Sequence, residues 1–191
     1  GITPEQKDYC FYPSQLKPLE FLSESQVLQY NELGFTDPQN GFEESEILAQ
    51  RDYFDSLLSQ LKANPQKAER GFNAIQYSLN CAHTRLRGLW EIMYSEKILP
   101  PVRDIIGPNV IAWATHYFCK LPGDDQIVSW HQDASYWGLS TAKTVTVWLA
   151  IDDADEENAA MQFLPKSHLV GHIPWQETAE DSVLNQEIQD I

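Results

Sequence analysis

The chain has 191 residues, of which 42% are hydrophobic and 12% aromatic, so it can bury one sizeable core and is not generally disordered. Its 13 basic and 28 acidic residues give a net charge of −15, which repels phosphate backbones, so we expect no nucleic-acid partner. Because no apolar run approaches the roughly 20 residues that a membrane helix needs, we expect no membrane partner either.

The three cysteines, Cys10, Cys81 and Cys119, are odd in number, far apart and outside any CxxC spacing. Small exported domains stapled by disulfides usually carry an even and denser set. The first residues do not have the pattern of a signal peptide, so we expect none. We therefore expect three reduced thiols in a cytoplasmic protein.

The first half of the sequence is predicted to be helical. Residues 23–33 begin with a capping-box pattern, Ser23 followed by Gln26, and stop at Gly34. Residues 45–63 carry apolar side chains at helical spacing up to the break at Asn64 and Pro65. Further helices are predicted at 65–74, 86–94 and 98–106.

After Asn109 the sequence becomes typical of strands. Residues 110–120, 127–131, 144–151 and 161–164 are short runs rich in β-branched and aromatic residues, and turn signals separate them. Helices followed by consecutive strands predict an α+β domain built on a barrel or jelly roll. The tail, residues 176–191, is polar and acidic and is expected to be helical at most.

The most informative short motif is His131-Gln132-Asp133 at the end of the second predicted strand. Strand side chains alternate with period two, so His131 and Asp133 are expected on one face. They could supply two members of a two-histidine, one-carboxylate iron site, which leaves positions open for an α-keto acid and O₂. On the tripeptide alone, the commoner reading is a partly exposed histidine that hydrogen-bonds to a nearby carboxylate.

The longer segment 107–175 resembles the phytanoyl-CoA dioxygenase family in an ordered series of motifs. They are a Gly-Pro-Asn turn at 107–109, a Lys-x-Pro-Gly loop at 120–123, Trp-His-Gln-Asp at 130–133 with Tyr-Trp at 136–137, Thr-x-Trp at 146–148, and Asn158 followed by Leu-Pro-x-Ser-His at 164–168. The resemblance implies a double-stranded β-helix (jelly roll, cupin-like). Residues 1–191 would then form one domain, with a helical preface at 1–106, barrel strands at 107–175, and the last strands missing from the chain.

The resemblance also implies a non-haem Fe(II)- and 2-oxoglutarate-dependent oxygenase. Such an enzyme consumes O₂, decarboxylates 2-oxoglutarate to succinate and hydroxylates a small organic substrate. By position, the residues matched to roles are the metal ligands His131 and Asp133, the co-substrate contacts Trp148 and His116, and the substrate contacts Gln132, Tyr136 and Trp137. His116 could equally be a core-facing strand residue, and the two aromatics could simply pack the turn.

The chain departs from the family pattern in its second half. The family's third iron ligand, a histidine, and its arginine for the distal carboxylate of 2-oxoglutarate have no counterpart here, because His168 and His172 match other positions and no arginine follows Arg103. The family usually has glycine at one or both residues after Asn158, where this chain has Ala159 and Ala160, and it usually has glycine at the position of Lys166. If that last site demands positive φ, Lys166 is strained or the turn is remodelled.

Two alternatives to hydroxylation therefore stay open. A catalytically inactive jelly-roll binding module would also have an incomplete metal site. A metal enzyme of the same fold could instead halogenate, desaturate or close a ring, although the carboxylate of Asp133 argues against halogenation.

Overall fold

The computed structural model describes residues 6–15, 18–63, 81–123, 127–178, 182 and 184–188. Within these residues lie the helices α1 (Glu24–Leu33), α2 (Glu44–Ala63), α3 (Arg87–Met93) and α4 (Leu99–Ile106), and the strands β1 (Trp175–Glu177) and β2 (Gln186–Ile188). Single 3-10 turns occur at Ala82–Thr84, Asp133–Ser135, Glu156–Asn158 and Ser167–Leu169. The helix predicted at 65–74 falls outside the described residues.

The other four predicted helices are confirmed to within one residue at each end. In α1 the capping box is formed, because the Ser23 side chain accepts from the Gln26 N–H and the Gln26 side chain accepts from the Ser23 N–H. Gly34 ends α1 with φ 92°, and its N–H bonds to the Tyr30 carbonyl. Local sequence therefore sets both ends of this helix.

Two apolar clusters join the helices to the second half of the chain. One consists of Phe54, Leu57, Leu58, Ala82 and Leu89, and the partly buried side chains of Tyr117 and Cys119 pack on it. The other consists of Leu22, Val27 and Ile105, and Val145 packs on it. The helical preface therefore supports two of the segments that were predicted as strands.

A buried carboxylate connects α4 to the turn before α1. Asp104 is 2% exposed, and its two oxygens accept from the backbone N–H groups of Glu20, Phe21 and Leu22, each at 2.8 Å. The Ser14 hydroxyl donates to the Asp104 carbonyl at 2.7 Å. Since a buried charge is tolerated only when it is well hydrogen-bonded, this contact fixes how the N-terminal segment joins the helices.

The segments predicted as strands do not form strands in the described chain. Segments 110–120, 144–151 and 161–164 form no ladder in the described chain, and 127–131 contributes only the bridge between Ile127 and Ser182. Large apolar side chains along these segments are exposed, including Ile111 at 90% and Phe163 at 53%. β-branched and aromatic residues indicate that a segment suits a half-buried sheet surface, but they do not specify its partner strand. Strand-like composition alone therefore does not predict that these segments pair.

For the described residues of the tail the prediction of at most a helix was wrong, since they form two strands. β1 and β2 pair antiparallel, with Trp175 opposite Ile188. The Ile188 N–H bonds to the Trp130 carbonyl at 2.9 Å, and the alternating burial of β2 hides Gln186 and Ile188. This long-range pairing outweighs the weak local preference of a polar segment.

The described helices include none that is long and apolar enough to cross a membrane. Cys10, Cys81 and Cys119 form no disulfide with one another.

Candidate functional site

His131 and Asp133 lie together, as their spacing predicts. The Nδ1 atom of His131 lies 2.8 Å from the Ser129 carbonyl, and its Nε2 atom lies 3.3 Å from Oδ1 of Asp133. A carbonyl can only accept, so Nδ1 carries a proton; Nε2 donates to Asp133 when the ring is protonated and has a free lone pair when the ring is neutral. Nε2 and a carboxylate oxygen, both good metal donors, thus share one side of the turn.

Asp133 opens the 3-10 turn Asp133–Ser135, and its side chain is 49% exposed. Its second oxygen, Oδ2, lies 3.5 Å from the Thr146 hydroxyl, at the limit of hydrogen bonding. Thr146 belongs to the segment predicted as a strand at 144–151, so that segment runs beside the turn. The carboxylate is held weakly by its side-chain contacts.

Two opposing effects act on the pKa of His131. Burial of the His131 ring lowers its pKa, but hydrogen bonds with Asp133 and the Ser129 carbonyl, together with the Asp133 charge, outweigh burial and raise it. His116 is exposed overall, yet desolvation of its ring lowers its pKa, and the Asp133 charge only partly offsets this. His116 therefore lies within the electrostatic reach of Asp133.

Gln132 faces the opposite way from its two neighbours. Its amide nitrogen donates to the Gly171 carbonyl at 2.9 Å, and its amide oxygen accepts from the Ile173 N–H at 2.8 Å. Both polar ends of this side chain are therefore engaged with the loop that precedes β1. This assigns Gln132 a structural contact that motif reasoning did not anticipate.

The two aromatic residues predicted at the substrate mouth are placed differently. The Tyr136 ring meets the His131 ring edge-on, with centroids 6.0 Å apart, and burial is the main cause of its raised pKa. Trp137 contributes its carbonyl, which accepts from the Lys7 ammonium at 2.7 Å. Of the two, Tyr136 is the one in contact with the histidine.

Trp148 follows Thr146 by two residues, and its side chain is 46% exposed. No hydrogen bond or ring contact joins it to His131 or Asp133 among the described residues. Its predicted role as a co-substrate contact depends on the segment 144–151, which Thr146 brings alongside the turn.

A third metal ligand does not come from the described part of the chain, where no three His, Cys, Asp or Glu side chains converge. His168 Nε2 lies 3.1 Å from the Asn31 carbonyl and its ring packs edge-on against Phe11, while His172 packs against Tyr9. His168 therefore contacts α1 and the N-terminal segment, and His172 contacts the N-terminal segment.

Sequence reasoning missed three residues around this site: Ser129, Thr146 and Lys7. Ser129 directly precedes the Trp-His-Gln-Asp motif and Thr146 opens the Thr-x-Trp motif, so both residues adjoin a signal in the sequence. Lys7 lies more than 120 residues away from the turn it contacts, and no local pattern marks it.

The family model described as "Phytanoyl-CoA dioxygenase (PhyH)" matches residues 30–190. That family has a cupin, or jelly-roll, fold; the four helices and two strands of the described residues neither confirm this fold nor conflict with it.

Two curated relatives are similar to parts of the chain. One, from Danio rerio, is "Phytanoyl-CoA dioxygenase domain-containing protein 1", which is 27% identical over 101 residues, covering 52% of this chain and 34% of the relative. The other, from Stutzerimonas stutzeri, is "Probable alpha-ketoglutarate-dependent hypophosphite dioxygenase", 29% identical over 86 residues, covering 45% of this chain and 30% of the relative. The chain thus spans about a third of the length of these relatives. No solved structure matches it.

Proposed function

The chain belongs to the phytanoyl-CoA dioxygenase (PhyH) family, and on that premise we propose that it acts as an Fe(II)- and 2-oxoglutarate-dependent oxygenase. The reaction would hydroxylate a small organic substrate and decarboxylate 2-oxoglutarate to succinate, in the cytoplasm. The observation that carries this proposal is the approach of His131 Nε2 to Asp133 Oδ1 at 3.3 Å.

The donor set of the pair fits two of the three protein ligands of such an iron site. His131 would bind through Nε2, because its Nδ1 proton is engaged by Ser129, a partner of the kind that fixes metal-bound histidines. Asp133 would bind through Oδ1, the oxygen nearer to that nitrogen. Bound Fe(II) would supply the centre at which 2-oxoglutarate and O₂ react.

The remaining predicted residues would surround this centre. Trp148 and His116 are proposed to contact 2-oxoglutarate, since Thr146 holds one segment beside Asp133 and the Asp133 charge reaches the other. Tyr136 and Trp137 are proposed to border the substrate. Gln132 would act on the substrate side only through the loop that it holds, because both ends of its amide are engaged.

We further propose that residues outside 1–191 complete the barrel and supply the third histidine and the arginine. The support is the exposed apolar surface of the segments predicted as strands, including Trp113 and Trp148 at 50% and 46% exposure. Large apolar patches of this kind normally meet another part of the protein. The whole of residues 1–191 would form one domain with those strands.

One alternative has its own support. The described residues offer no third ligand, which is also what a catalytically inactive jelly-roll binding module would show. Such a module would use the same surface to hold a small molecule without turnover.

Anaerobic titration of the intact protein with Fe(II) and then 2-oxoglutarate tests the proposal. We expect the weak visible metal-to-ligand charge-transfer band of an Fe(II)–2-oxoglutarate complex, and we expect it to be absent or far weaker in residues 1–191 alone. Absence of the band from the intact protein would reject the oxygenase and favour the binding module.

A further inference from the structure

The N-terminal segment 7–9 contacts both loops that flank the His131 motif. The Lys7 ammonium donates to the Ala134 carbonyl at 2.9 Å and to the Trp137 carbonyl at 2.7 Å. The Asp8 N–H donates to the Ser140 carbonyl at 2.9 Å, and Asp8 forms a parallel bridge with Thr141. This segment, although distant in sequence, thus runs along the chain that leaves Asp133.

The same segment reaches the loop on the other side of the motif. The Tyr9 ring packs against the His172 ring in a tilted arrangement, with centroids 4.8 Å apart. His172 lies between the two residues whose backbone Gln132 holds, Gly171 and Ile173. Residues 7–9 therefore connect the turn after Asp133 to the loop 171–173, which Gln132 binds.

The Lys7 ammonium binds backbone carbonyls that the turn itself leaves without a hydrogen-bond donor. A 3-10 turn of three residues leaves its last carbonyls without partners inside the turn, and a cation near these carbonyls is favourable. Lys7 is half-buried, and a charged donor forms shorter and stronger hydrogen bonds than a neutral one. Its ammonium group links two carbonyls three residues apart and so fixes the shape of the turn.

The shape of this turn decides where Asp133 and Tyr136 lie. Tyr136 lies inside the stretch 134–137 that Lys7 spans, and its N–H bonds to the carbonyl of Asp133, just before that stretch, at 3.0 Å. Within the described residues, the Asp133 carboxylate has one orienting contact besides His131, the 3.5 Å approach of the Thr146 hydroxyl, and it is half exposed. Its orientation therefore depends mainly on its backbone.

We propose that Lys7 is a positioning residue of the oxygenase site, which holds the turn 133–137 through two backbone carbonyls and so sets Asp133 and Tyr136 relative to His131. This inference rests on the proposed function, because it assumes that His131 and Asp133 bind the metal. Lys7 itself would touch neither metal nor substrate.

The test compares three variants of the intact protein. Lys7→Met keeps the length of the side chain and removes its charge, Lys7→Arg restores a cation, and Lys143→Met removes an exposed cation from the neighbouring segment as a control. Two quantities are measured: Fe(II) affinity, from the charge-transfer band with saturating 2-oxoglutarate, and amide hydrogen exchange across 133–141 in the metal-free protein.

For Lys7→Met we expect Fe(II) affinity to fall about tenfold, the lower end of the effect of residues that orient metal ligands. Exchange should increase within 133–141 and stay unchanged in α2. Lys7→Arg should recover most of the affinity, and Lys143→Met should match the unaltered protein. If Lys7→Met binds Fe(II) within twofold of the unaltered protein, or speeds exchange throughout the chain, the inference is wrong. If the unaltered protein forms no band, the proposed function fails and this inference fails with it.

Discussion

Nε2 of His131 and Oδ1 of Asp133 lie 3.3 Å apart, while the side chain between them, Gln132, binds a loop on the other side. This alternation is what an extended segment produces, since neighbouring side chains point to opposite faces. His131 and Asp133 thus present two potential metal donors, while Gln132 between them binds the loop before β1.

Replacing Asp133 by alanine should abolish iron-dependent 2-oxoglutarate decarboxylation, a loss of roughly 100-fold or more, because it removes the anionic donor of the pair. Its side chain is 49% exposed, so the free energy of unfolding should change by no more than about 0.5 kcal/mol. Succinate formation and urea unfolding would measure the two effects. Asp153→Ala, which removes another exposed carboxylate, is the matched control.

If Asp133→Ala kept full decarboxylation, Asp133 would not be a metal ligand. Equal losses of activity in both aspartate variants would instead indicate a general effect of charge.

Trp148→Ala should raise the 2-oxoglutarate concentration needed for half-maximal rate, because the indole is proposed to border the co-substrate. The side chain is 46% exposed, so the stability loss should be about 1–2 kcal/mol, below that of a fully buried tryptophan. Trp113→Ala, at 50% exposure, provides the comparison. A loss of stability with unchanged 2-oxoglutarate affinity would limit Trp148 to packing.

The helices could be predicted because their ends are encoded locally. Ser23, Gln26 and Gly34 form the caps of α1 that their order in the sequence predicts. The spacing of His131 and Asp133 is local as well, and so their proximity was predictable. These features involve residues a few positions apart, where backbone geometry leaves few choices.

What could not be predicted depends on contacts across the chain. The bond from the Ile188 N–H to the Trp130 carbonyl turns part of the tail into a strand, and the bonds from Lys7 to Ala134 and Trp137 bring the N-terminal segment to the site. No periodic pattern encodes such partners. The resemblance to a family identified the metal motif, but it did not predict the contacts that Ile188 and Lys7 make with the surrounding segments.

Two non-glycine residues adopt left-handed backbone at the positions where the family pattern has glycine. Ala159 has φ 62° and Lys166 has φ 67°. Ala159→Gly and Lys166→Gly should each raise the free energy of unfolding by about 0.5–1 kcal/mol, because glycine removes the steric cost of positive φ. The ion pair of Lys166 with Glu32 is exposed, so its loss should matter little.

Ala160→Gly is the control for this pair, since Ala160 is not among the residues of positive φ. It should lower stability by about 0.5–1 kcal/mol through added freedom in the unfolded chain. Urea unfolding with equal m-values would give the comparison. A destabilised Ala159→Gly variant would mean that the left-handed conformation carries no strain there.

Asp104→Ala should destabilise the protein by about 3 kcal/mol or more, because three backbone N–H groups in the turn before α1 lose their acceptor. Asp104→Asn keeps one acceptor oxygen and should lose less. Asp55→Ala, on the exposed face of α2, should change stability by no more than about 0.5 kcal/mol. Thermal and urea unfolding of the three variants would rank them, and equal losses at 104 and 55 would contradict the role of the buried carboxylate.

Tyr117 gives the fold a predictable response to alkaline pH. Burial raises the pKa of its hydroxyl to about 12, and its ring packs on Phe54 with centroids 4.8 Å apart. In the unfolded chain the same group titrates near pH ~10. Between these values the unfolded state releases a proton that the folded state retains, so stability is complete below pH ~10 and falls as pH rises toward 12. Tyr117→Phe should therefore lose stability less steeply over this interval, as measured by urea unfolding at several pH values. Parallel curves for the two proteins would show that Tyr117 ionises normally in the folded state.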